Sequence, residues 1–309
     1  MSGFEARKLA PQPPSETVAV VVVTYNRAAL LTRMLAGLAA LDRQPDAVIV
    51  VDNASTDHTA TVLEGASFEH GGLKLEVIRP DDNLGGAGGF HAGVAAAHEQ
   101  GFDRIWLMDD DVIPAPDCLD VLMAVDEDCL MAVREDTSGR LVEKAAVTFD
   151  LRNPLRLKPK TAMVETTYAS RSAMAELVEI QNVAFEGFMV RRRVIDAIGL
   201  PDPDYFIFYD DVDFALRARR AGFTIYAVRD AVLVRQLDFD QQHDLAGWKG
   251  YYMYRNLFTV HLRYGENALV RAKPWLITAG VVALSPVRGG RSEARNVRRA
   301  LRDARAGAR

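Results

Sequence analysis

The 309-residue chain lacks most of the features that mark secreted, membrane-spanning or nucleic-acid-binding proteins. Its two cysteines, Cys118 and Cys129, are too few for a disulfide framework and are typical of a reducing cytosol. The longest apolar run, residues 275–287, is shorter than the roughly 20 residues of a membrane-spanning helix and contains Pro286. A net charge of −5 argues against general nucleic-acid binding, which needs a clustered basic face.

Residues 1–16 are polar and rich in proline, and they lack the apolar core of a signal peptide. We expect a disordered tail there. The sequence also shows no Ser-His-Asp or Cys-His arrangement and no zinc-ligand spacing. These absences leave an ordinary globular chain without the common signatures of hydrolases or zinc proteins.

Strand-like apolar runs alternate with helical patterns through residues 17–125. This alternation predicts an α/β fold with a mostly parallel sheet. The predicted strands are residues 17–24, 47–51, 73–79 and 104–108. The predicted helices are residues 28–41 and 88–100, and a further one that begins with Ser55, Thr56 or Asp57 as its N-cap.

The second half of the chain is less regular. We interpret residues 130–182 as loops and edge elements. The later predicted strands are residues 183–190, 224–228 and 231–234, and the later predicted helices are residues 192–198, residues 214–221 and most of the chain after residue 248.

Polar clusters follow three of the predicted strands, at residues 25–27, 52–53 and 109–111. Ligands of open parallel sheets bind outside the carboxyl ends of the strands, so we expect these clusters to converge. The three consecutive aspartates of the last cluster repel one another, and Mg²⁺ or Mn²⁺ bridging to a phosphate would relieve that repulsion. The alternative is a solvated acidic turn that caps the next helix.

Residues 83–89, NLGGAGG, form a glycine-rich entry into a helix. They fail the dinucleotide-binding fingerprint because His91 stands where the third glycine would be, and they lack the lysine of a P-loop. Small residues here either let the chain approach a bulky ligand closely or serve packing alone.

Residues 210–213, DDVD, form a second acidic group at the start of a predicted helix. Acids at a helix N-terminus are common and mildly stabilising, so a structural role is one interpretation. The other is a division of labour, in which residues 109–111 hold a metal and a leaving diphosphate while this group supplies a general base.

Seven motifs, in this order, resemble the family 2 inverting glycosyltransferases of the GT-A fold, in which helices flank a Rossmann-like nucleotide-sugar-binding sheet. They are VVVTYNR (21–27), VVDNAST (50–56), NLGGAGGF (83–90), WLMDDDV (106–112), FEGFMVRR (185–192), FIFYDDVDFALR (206–217) and YYMYRN (251–256). NLGGAGGF together with DDDV is most similar to the mycobacterial-type galactofuranosyltransferases, and the length and layout are closest to their short initiating enzyme of galactan synthesis.

The resemblance implies a metal-dependent transferase that uses Mn²⁺ or Mg²⁺. Its donor would be UDP-galactofuranose, and its acceptor a polyprenyl-diphosphate-linked glycan of cell-wall synthesis at the cytoplasmic face of the membrane. The alternatives are a rhamnosyltransferase that uses dTDP-rhamnose and an inactive nucleotide-sugar-binding protein. The oligomeric state is not predicted.

The same resemblance implies roles for individual residues. Arg27, Asn53 and Asn83 would contact the UDP portion of the donor, and Asp52 would lie beside its uracil or ribose.

The resemblance also implies that the acidic motifs bind the metal and supply the catalytic base. Asp109 and Asp111 would hold the metal, and Asp110 would lie near the sugar. Asp211 would be the catalytic base, with Asp210 as its neighbour in the site.

One departure from the family pattern concerns the third metal ligand. The family often has a histidine after the base, at the end of a short strand, where this chain has Arg235. Three expectations remain open: His243 completes the metal site, the metal keeps an extra water, or Arg235 supplies positive charge directly.

The implied domain organisation has three parts. They are a tail at 1–16, a catalytic domain at 17–245, with a nucleotide-binding part at 17–125 and an acceptor-binding part at 126–245, and a basic helical region at 246–309. That last region combines aromatic residues, the apolar run and eight arginines after residue 287, which favours contact with a membrane interface. The alternative is that residues 248–262 pack on the catalytic domain and the tail is a solvated helix.

Overall fold

The computed structural model describes residues 16–66, 74–156, 158–237, 245–285 and 290–307. Within these ranges the strands are β1 (Val18–Thr24), β2 (Ala47–Asp52), β3 (Lys74–Ile78), β4 (Arg104–Asp109), β5 (Val112–Pro114), β6 (Cys129–Glu135), β7 (Ala146–Phe149), β8 (Lys160–Met163), β9 (Leu177–Ile180), β10 (Phe188–Arg191) and β11 (Ile225–Arg235). The α-helices are α1 (Ala28–Ala39), α2 (Thr59–Gly65), α3 (Gly85–Glu99), α4 (Cys118–Met123), α5 (Val164–Thr167), α6 (Arg192–Ile198), α7 (Asp210–Arg220), α8 (Trp248–Tyr264), α9 (Ala268–Leu284) and α10 (Gly290–Gly307).

Nine strands form one mixed sheet in the described part of the chain. Its order is β3-β2-β1-β4-β10-β6-β11-β5, and β9 pairs with β11. Strands β1 to β4 are parallel, and β10 runs antiparallel between β4 and β6. Strands β7 and β8 form a separate hairpin-like pair. The α/β fold with a mostly parallel sheet is thus confirmed.

Strand β1 is buried on both faces because helices cover both sides of the sheet. Alternate side chains of a strand point to opposite faces. Val21 and Val23 therefore pack in one core together with Phe90 of α3. Val20 and Val22 pack in the other core with residues of α1. This two-sided burial explains why the sequence of β1 is a continuous apolar run rather than an alternating one.

The order of the strands places a crevice beside β1. The chain passes from β1 to β2 and β3 on one side and then crosses to β4 on the other side. At such a switch point the two crossovers leave the carboxyl ends of the strands open to a ligand. The pairing of Thr24 with Asp52 and of Val23 with Asp109 brings the three predicted polar clusters to this edge.

The structure corrects several boundaries in the first half of the chain. Helix α3 begins at Gly85 rather than at residue 88, so the glycine-rich segment is itself helical. Glycine has low helix propensity, and packing decides the outcome here, because a Cβ atom on Gly93 would lie 2.4 Å from Cγ1 of Val21. Helix α2 begins only at Thr59, whose backbone N–H donates to Oδ1 of Asp57.

The interpretation of residues 130–182 as loops and edge elements was wrong for β6. That strand lies inside the sheet, between β10 and β11. The two short strands predicted at 224–228 and 231–234 form the single strand β11, with a bulge between Val228 and Val232 that lets it remain paired with β6.

Helices α8, α9 and α10 pack together after the sheet. Tyr254 and Phe258 of α8 share an apolar cluster with Val297 and Ala300 of α10. Val260 of α8 packs in another cluster with residues of α7 and β7. Helix α8 thus joins the C-terminal helices to the sheet-containing body. No helix among the described residues is long and apolar enough to cross a membrane.

Candidate active site

The loops after β1 and β2 are tied together by Asn26. Its side-chain Oδ1 accepts a hydrogen bond from the backbone N–H of Thr56 at 2.7 Å, and its own N–H donates to Oγ of Ser55 at 2.9 Å. Asn26 has a φ of 54°, in the left-handed region that asparagine tolerates better than most residues. This turn directs Arg27 towards the end of β4.

Arg27 contacts two of the three consecutive aspartates. Its Nη1 lies 3.0 Å from Oδ1 of Asp110 and 3.4 Å from Oδ2 of Asp111. Asp110 is buried and also accepts a 2.7 Å hydrogen bond from Oγ1 of Thr24. Burial raises the pKa of Asp110, and the nearby Arg27 opposes that rise. Both oxygens of Asp110 are thus engaged by the protein, which gives this residue a role in holding Arg27.

Asp109 and Asp111 have the properties of a cation site. Burial raises the pKa of Asp109 well above its usual range, and the nearby carboxylates of Glu186, Asp111 and Asp110 add to the effect. Burial and Glu186 raise the pKa of Asp111 to about 6. Oδ1 of Asp111 is buried and has no hydrogen-bond partner among the described residues.

These residues fit a divalent cation, because its positive charge would stabilise an unpaired carboxylate oxygen that lies beside other carboxylates. Within the described ranges no three His, Cys, Asp or Glu side chains are grouped as a complete metal site. Asp109 and Asp111 would thus supply at most two ligands to such a cation, and other atoms would have to supply the rest.

Glu186 lies behind the aspartates in a buried network of charges. It forms ion pairs with Arg134 and, at 3.1 Å, with Arg235. Arg134 in turn donates to both oxygens of Glu143, at 2.9 and 2.8 Å. Burial opposes ionisation of Glu186, but the two arginines outweigh it and hold its pKa below the usual value.

The sequence-based reasoning did not single out Glu186 or Arg134. A carboxylate in the otherwise apolar segment FEGFMV was the available signal for Glu186. Nothing in the sequence pairs residue 134 with residue 186, since only the packing of β6 against β10 brings them together.

Arg235 ends β11 at the position where the family often has histidine. Its neighbour across the sheet is Val112, the residue after the acidic motif, and the next residue, Gln236, donates its backbone N–H to the carbonyl oxygen of Asp111 at 2.8 Å. Arg235 lies close enough to Asp111 to favour the ionised form of that carboxylate. His243, the other expected third ligand, lies outside the described residues.

The residues expected to contact the nucleotide surround the start of α3. Asn53 is buried and donates from Nδ2 to the carbonyl oxygen of Gly85 at 2.9 Å, while its Oδ1 has no partner in the described part of the chain. Asn83 accepts the backbone N–H of Gly85 at 2.8 Å. Asp52 pairs with Arg79 at 3.2 Å and accepts the N–H of Ser55. The unpaired Oδ1 of Asn53 is an available acceptor for a ligand N–H or O–H group.

A strained turn precedes the second acidic group. Phe206, Phe208 and Tyr209 all have positive φ values between 61° and 67°, a conformation that costs energy for bulky residues. The buried Nδ2 of Asn256 on α8 lies 2.7–3.0 Å from the carbonyl oxygens of residues 205, 207 and 208. Asn256 was missed at the sequence level, although it ends the motif YYMYRN.

Helix α3 supports the same turn from the other side. The backbone N–H of Ala87 donates to the carbonyl oxygen of Phe206 at 3.1 Å. A Cβ atom on Gly85, which has a φ of +72°, would lie 2.1 Å from that oxygen. The glycine-rich motif thus touches both Asn53 and the turn before α7, and it connects the two acidic groups of the site.

Asp210 and Asp211 begin α7 in a shielded environment. Burial raises the pKa of Asp211 to about 6, although Lys160 and Arg134 favour its charged form. Burial and the charge of Asp211 raise the pKa of Asp210 to about 8. Asp211 is the more exposed of the two. At neutral pH it can therefore accept a proton from a ligand while Asp210 remains largely protonated.

Asp213, the third acid of this motif, has a structural role. Its Oδ1 accepts hydrogen bonds from the hydroxyls of Tyr205 and Tyr264 at 3.1 and 2.5 Å, and its Oδ2 pairs with Arg217 at 2.8 Å. With only 1% of its surface exposed, it is closed to a ligand.

Aromatic residues border the turn before α7. Tyr252 of α8 stacks on Phe206 with ring centres 4.9 Å apart, and Trp248 lies edge-on to both rings. Arg255 lies over the face of Tyr252. Aromatic rings grouped in this way offer apolar surface to the faces of a sugar or another amphipathic ligand.

Comparison with known proteins agrees with this geometry. A family model described as "Glycosyltransferase like family 2" matches residues 13–252. This chain is a family 2 glycosyltransferase. The enzyme is 32% identical to galactofuranosyltransferase GlfT1 of Mycolicibacterium smegmatis over 67% of each chain. It is 30% identical to GlfT1 of Mycobacterium tuberculosis over 85% of its own length and 87% of the relative's.

Solved structures support the GT-A fold of this glycosyltransferase. A Pyrobaculum calidifontis mannosyltransferase in complex with GDP-Man and Mn²⁺ matches 98% of the chain and 86% of its own length, with a TM-score of 0.55 and 18% identity. GalNAc-T7 with UDP, GalNAc and Mn²⁺ matches 95% of the chain and 55% of its own length, with a TM-score of 0.63 and 14% identity. At these identities the comparison establishes the fold.

Proposed function

We propose that this glycosyltransferase is a metal-dependent inverting enzyme that transfers galactofuranose from UDP-galactofuranose to a polyprenyl-diphosphate-linked glycan. The process it serves would be cell-wall galactan synthesis. The names of the GlfT1 relatives support the donor sugar. The observation that carries the proposal is the pair of acidic groups, one suited to a cation and the other to a proton, joined by the glycine-rich start of α3.

In the proposed reaction an acceptor hydroxyl attacks the anomeric carbon of the donor, and the bond from that carbon to the diphosphate oxygen breaks. Asp211 accepts the hydroxyl proton, and UDP leaves with the electron pair of the broken bond. General-base assistance of this kind typically contributes about 10²–10⁴-fold to the rate. Attack from the face opposite the leaving group inverts the anomeric centre.

Asp109 and Asp111 would hold Mn²⁺ or Mg²⁺, which when bound neutralises negative charge on the departing diphosphate. Arg27 contacts Asp111 and its neighbour Asp110, and it adds positive charge beside them. Arg235, which pairs with Glu186, also favours ionised Asp111. The positive charges of the two arginines offer a reason why the enzyme could work without a third protein ligand to the metal. His243 would be that third ligand if it joins the site.

Asn53, Asn83 and Asp52 would hold the UDP portion at the carboxyl ends of β1 and β2. The unpaired Oδ1 of Asn53 supports this assignment, since it lies buried at the edge where the strand order reverses. Asp110 would lie near the sugar, and Arg27, which pairs with it, would contact the UDP portion. The division into a nucleotide-binding part at 17–125, an acceptor-binding part at 126–245 and a helical region at 246–309 belongs to the same proposal.

The donor is tested by direct binding and turnover. UDP-galactofuranose, UDP-galactopyranose, UDP-GlcNAc and dTDP-rhamnose would be compared by thermal shift with Mn²⁺, followed by transfer to a soluble analogue of the lipid-linked acceptor. We expect the largest shift and transfer with inversion for UDP-galactofuranose. Preference for dTDP-rhamnose would identify a rhamnosyltransferase instead.

A second candidate function is nucleotide-sugar binding without catalysis, which the replacement of histidine by Arg235 favours. A shielded but accessible Asp211 with a raised pKa argues against it, because a protein that only binds has no use for a proton acceptor there. If the protein shows no sugar transfer and no donor hydrolysis in the presence of Mn²⁺, the result would support a protein that only binds nucleotide sugars.

A further inference from the structure

Helix α10 carries a continuous row of arginines. Its exposed arginines follow one another at steps of mostly three and four residues, which places them on one side of an α-helix. This arginine face consists of Arg291, Arg295, Arg298, Arg299, Arg302 and Arg305. The face is strongly cationic, although the whole chain has a net charge of −5.

The acids of α10 offset little of this charge. Glu293 is buried and accepts a 2.7 Å hydrogen bond from the hydroxyl of Tyr254. Asp303 lies between Arg299 and Arg302, at 3.5 and 2.9 Å. The cationic character therefore persists along the length of the helix.

The opposite side of α10 fixes the helix to the protein. Ala294, Val297, Ala300 and Ala304 are buried, and Asn296 donates to the carbonyl oxygens of residues 245–247. The arginine face is thus held outward on a packed helix.

Helix α9 exposes apolar side chains beside this face. Leu269, Leu276 and Leu284 are 65%, 69% and 52% exposed, and their spacing of seven and eight residues places them on one side of the helix. Trp275 is 42% exposed, and the guanidinium of Arg305 lies 5.6 Å from the centre of its ring. We call Leu269, Trp275, Leu276 and Leu284 the leucine face; the contact between Arg305 and Trp275 joins it to the arginine face.

We infer that the arginine face and the leucine face form one surface that docks on an anionic lipid bilayer. Arginines alone would suit any polyanion, and leucines alone would suit any apolar partner. Their combination on adjacent helices matches the boundary between charged headgroups and acyl chains. The inference deepens the proposed function, because the diphosphate of a lipid-linked acceptor lies at that boundary.

The test is flotation of the full-length chain with vesicles of phosphatidylcholine, with or without phosphatidylglycerol. We expect binding only to the anionic vesicles, and weaker binding as NaCl rises from about 0.1 to 0.5 M. The arginine-face variant carries Arg291→Gln, Arg295→Gln, Arg298→Gln and Arg305→Gln. Its vesicle affinity should fall by about tenfold or more, since each cation near the surface contributes to binding.

Two further variants distinguish binding through this surface from an effect of the net charge of the protein. A matched control changes four exposed cationic residues elsewhere to glutamine, Arg33, Lys74, Arg140 and Arg193, and should bind vesicles as the wild type does. The variant Leu269→Gln/Leu276→Gln/Leu284→Gln should also lose binding, although its charge is unchanged. Circular dichroism would confirm that each variant is folded.

Three results would overturn the inference. One is equal loss in the arginine-face variant and its control, which would show a net-charge effect. The second is binding to duplex DNA that is as tight as vesicle binding and unchanged in the leucine-face variant, which would show a general polyanion site. The third is a lipid-independent dimer that the leucine variant abolishes. Vesicle binding requires no sugar transfer, so a failed transfer assay would count against the proposed function alone.

Discussion

Asp210 and Asp211 are neighbours in sequence with different chemical properties in the fold. Both are shielded from water, which raises both pKa values, but Lys160 and Arg134 offset part of that rise for Asp211. The two pKa values, about 8 and about 6, separate an acid that stays protonated near neutral pH from one that can accept a proton. Pairs of carboxyl groups with pKa values pushed apart in this way are typical of catalytic sites.

Replacing the base should affect turnover rather than donor binding. Asp211→Asn should lower kcat by about 10²–10⁴-fold and leave the affinity for the UDP-sugar nearly unchanged. Steady-state kinetics and donor titration would measure the two effects, with exposed Asp126→Asn as a control. Near-normal turnover would move the base to Asp210, because the oxygens of Asp213 are already occupied.

The pH dependence of turnover should follow Asp211. Only the ionised carboxylate can accept a proton, so kcat should fall as the pH drops below about 6. A pH–rate profile would show this limb with a slope of about tenfold per pH unit. A flat profile down to pH 5 would contradict the assignment.

The raised pKa of Asp210 predicts a stability effect of defined sign. An unfolded aspartate ionises near pH 4, whereas folded Asp210 ionises near 8, so the folded state binds more protons between these values. Stability from this group is therefore lost as the pH rises through that window. Asp210→Asn removes the loss and should raise the melting temperature, relative to wild type, more at about pH 9 than at about pH 5. An equal difference at both pH values would contradict this.

At the scale of elements, α3 and α8 hold the turn before α7 from two sides. The turn contains three residues with positive φ, and such strain persists only where the surroundings enforce it. Gly85 of α3 leaves room for the carbonyl oxygen of Phe206, and Asn256 of α8 donates to the carbonyls around it. These contacts fix the turn that leads into Asp211.

Removing the contact from α8 should reduce turnover selectively. Asn256→Ala should lower kcat by about tenfold or more with little change in donor affinity, because the nucleotide side of the cleft is built from other elements. The matched control is Asn296→Ala, since Asn296 also donates to three backbone carbonyls but lies on α10. If both variants lose kcat equally, Asn256 has only a general structural role.

At the scale of the whole molecule, the C-terminal helices are part of the packed structure. Helix α10 covers Tyr254 and Phe258 of α8, the same helix that carries Asn256. The sequence favours contact of this region with a membrane interface, and its alternative is that residues 248–262 pack on the catalytic domain and the tail is a solvated helix. The structure shows a helix that is buried on one side and cationic on the other.

Truncation after Pro286 should therefore destabilise the enzyme. Loss of α10 would expose the apolar side chains of α8 and α9, and we expect the melting temperature to fall by several degrees. Thermal unfolding of the full-length and truncated chains would measure this change. An unchanged melting temperature would mean that α10 contributes no packing energy. Because truncation is expected to destabilise the enzyme, substitutions on the arginine face are the better test of membrane docking.

The α/β fold, the strands β1, β2 and β4, and the acidic residues at their carboxyl ends can all be predicted from the sequence. This is possible because a strand buried on both faces must be continuously apolar, and because short motifs carry local chemistry. Three features required the folded structure: β6 is an inner strand, Glu186 pairs with Arg134 and Arg235, and Asn256 supports the turn before Asp211. These features depend on contacts between residues 50 or so positions apart, and no periodicity in the sequence records which distant residues will meet.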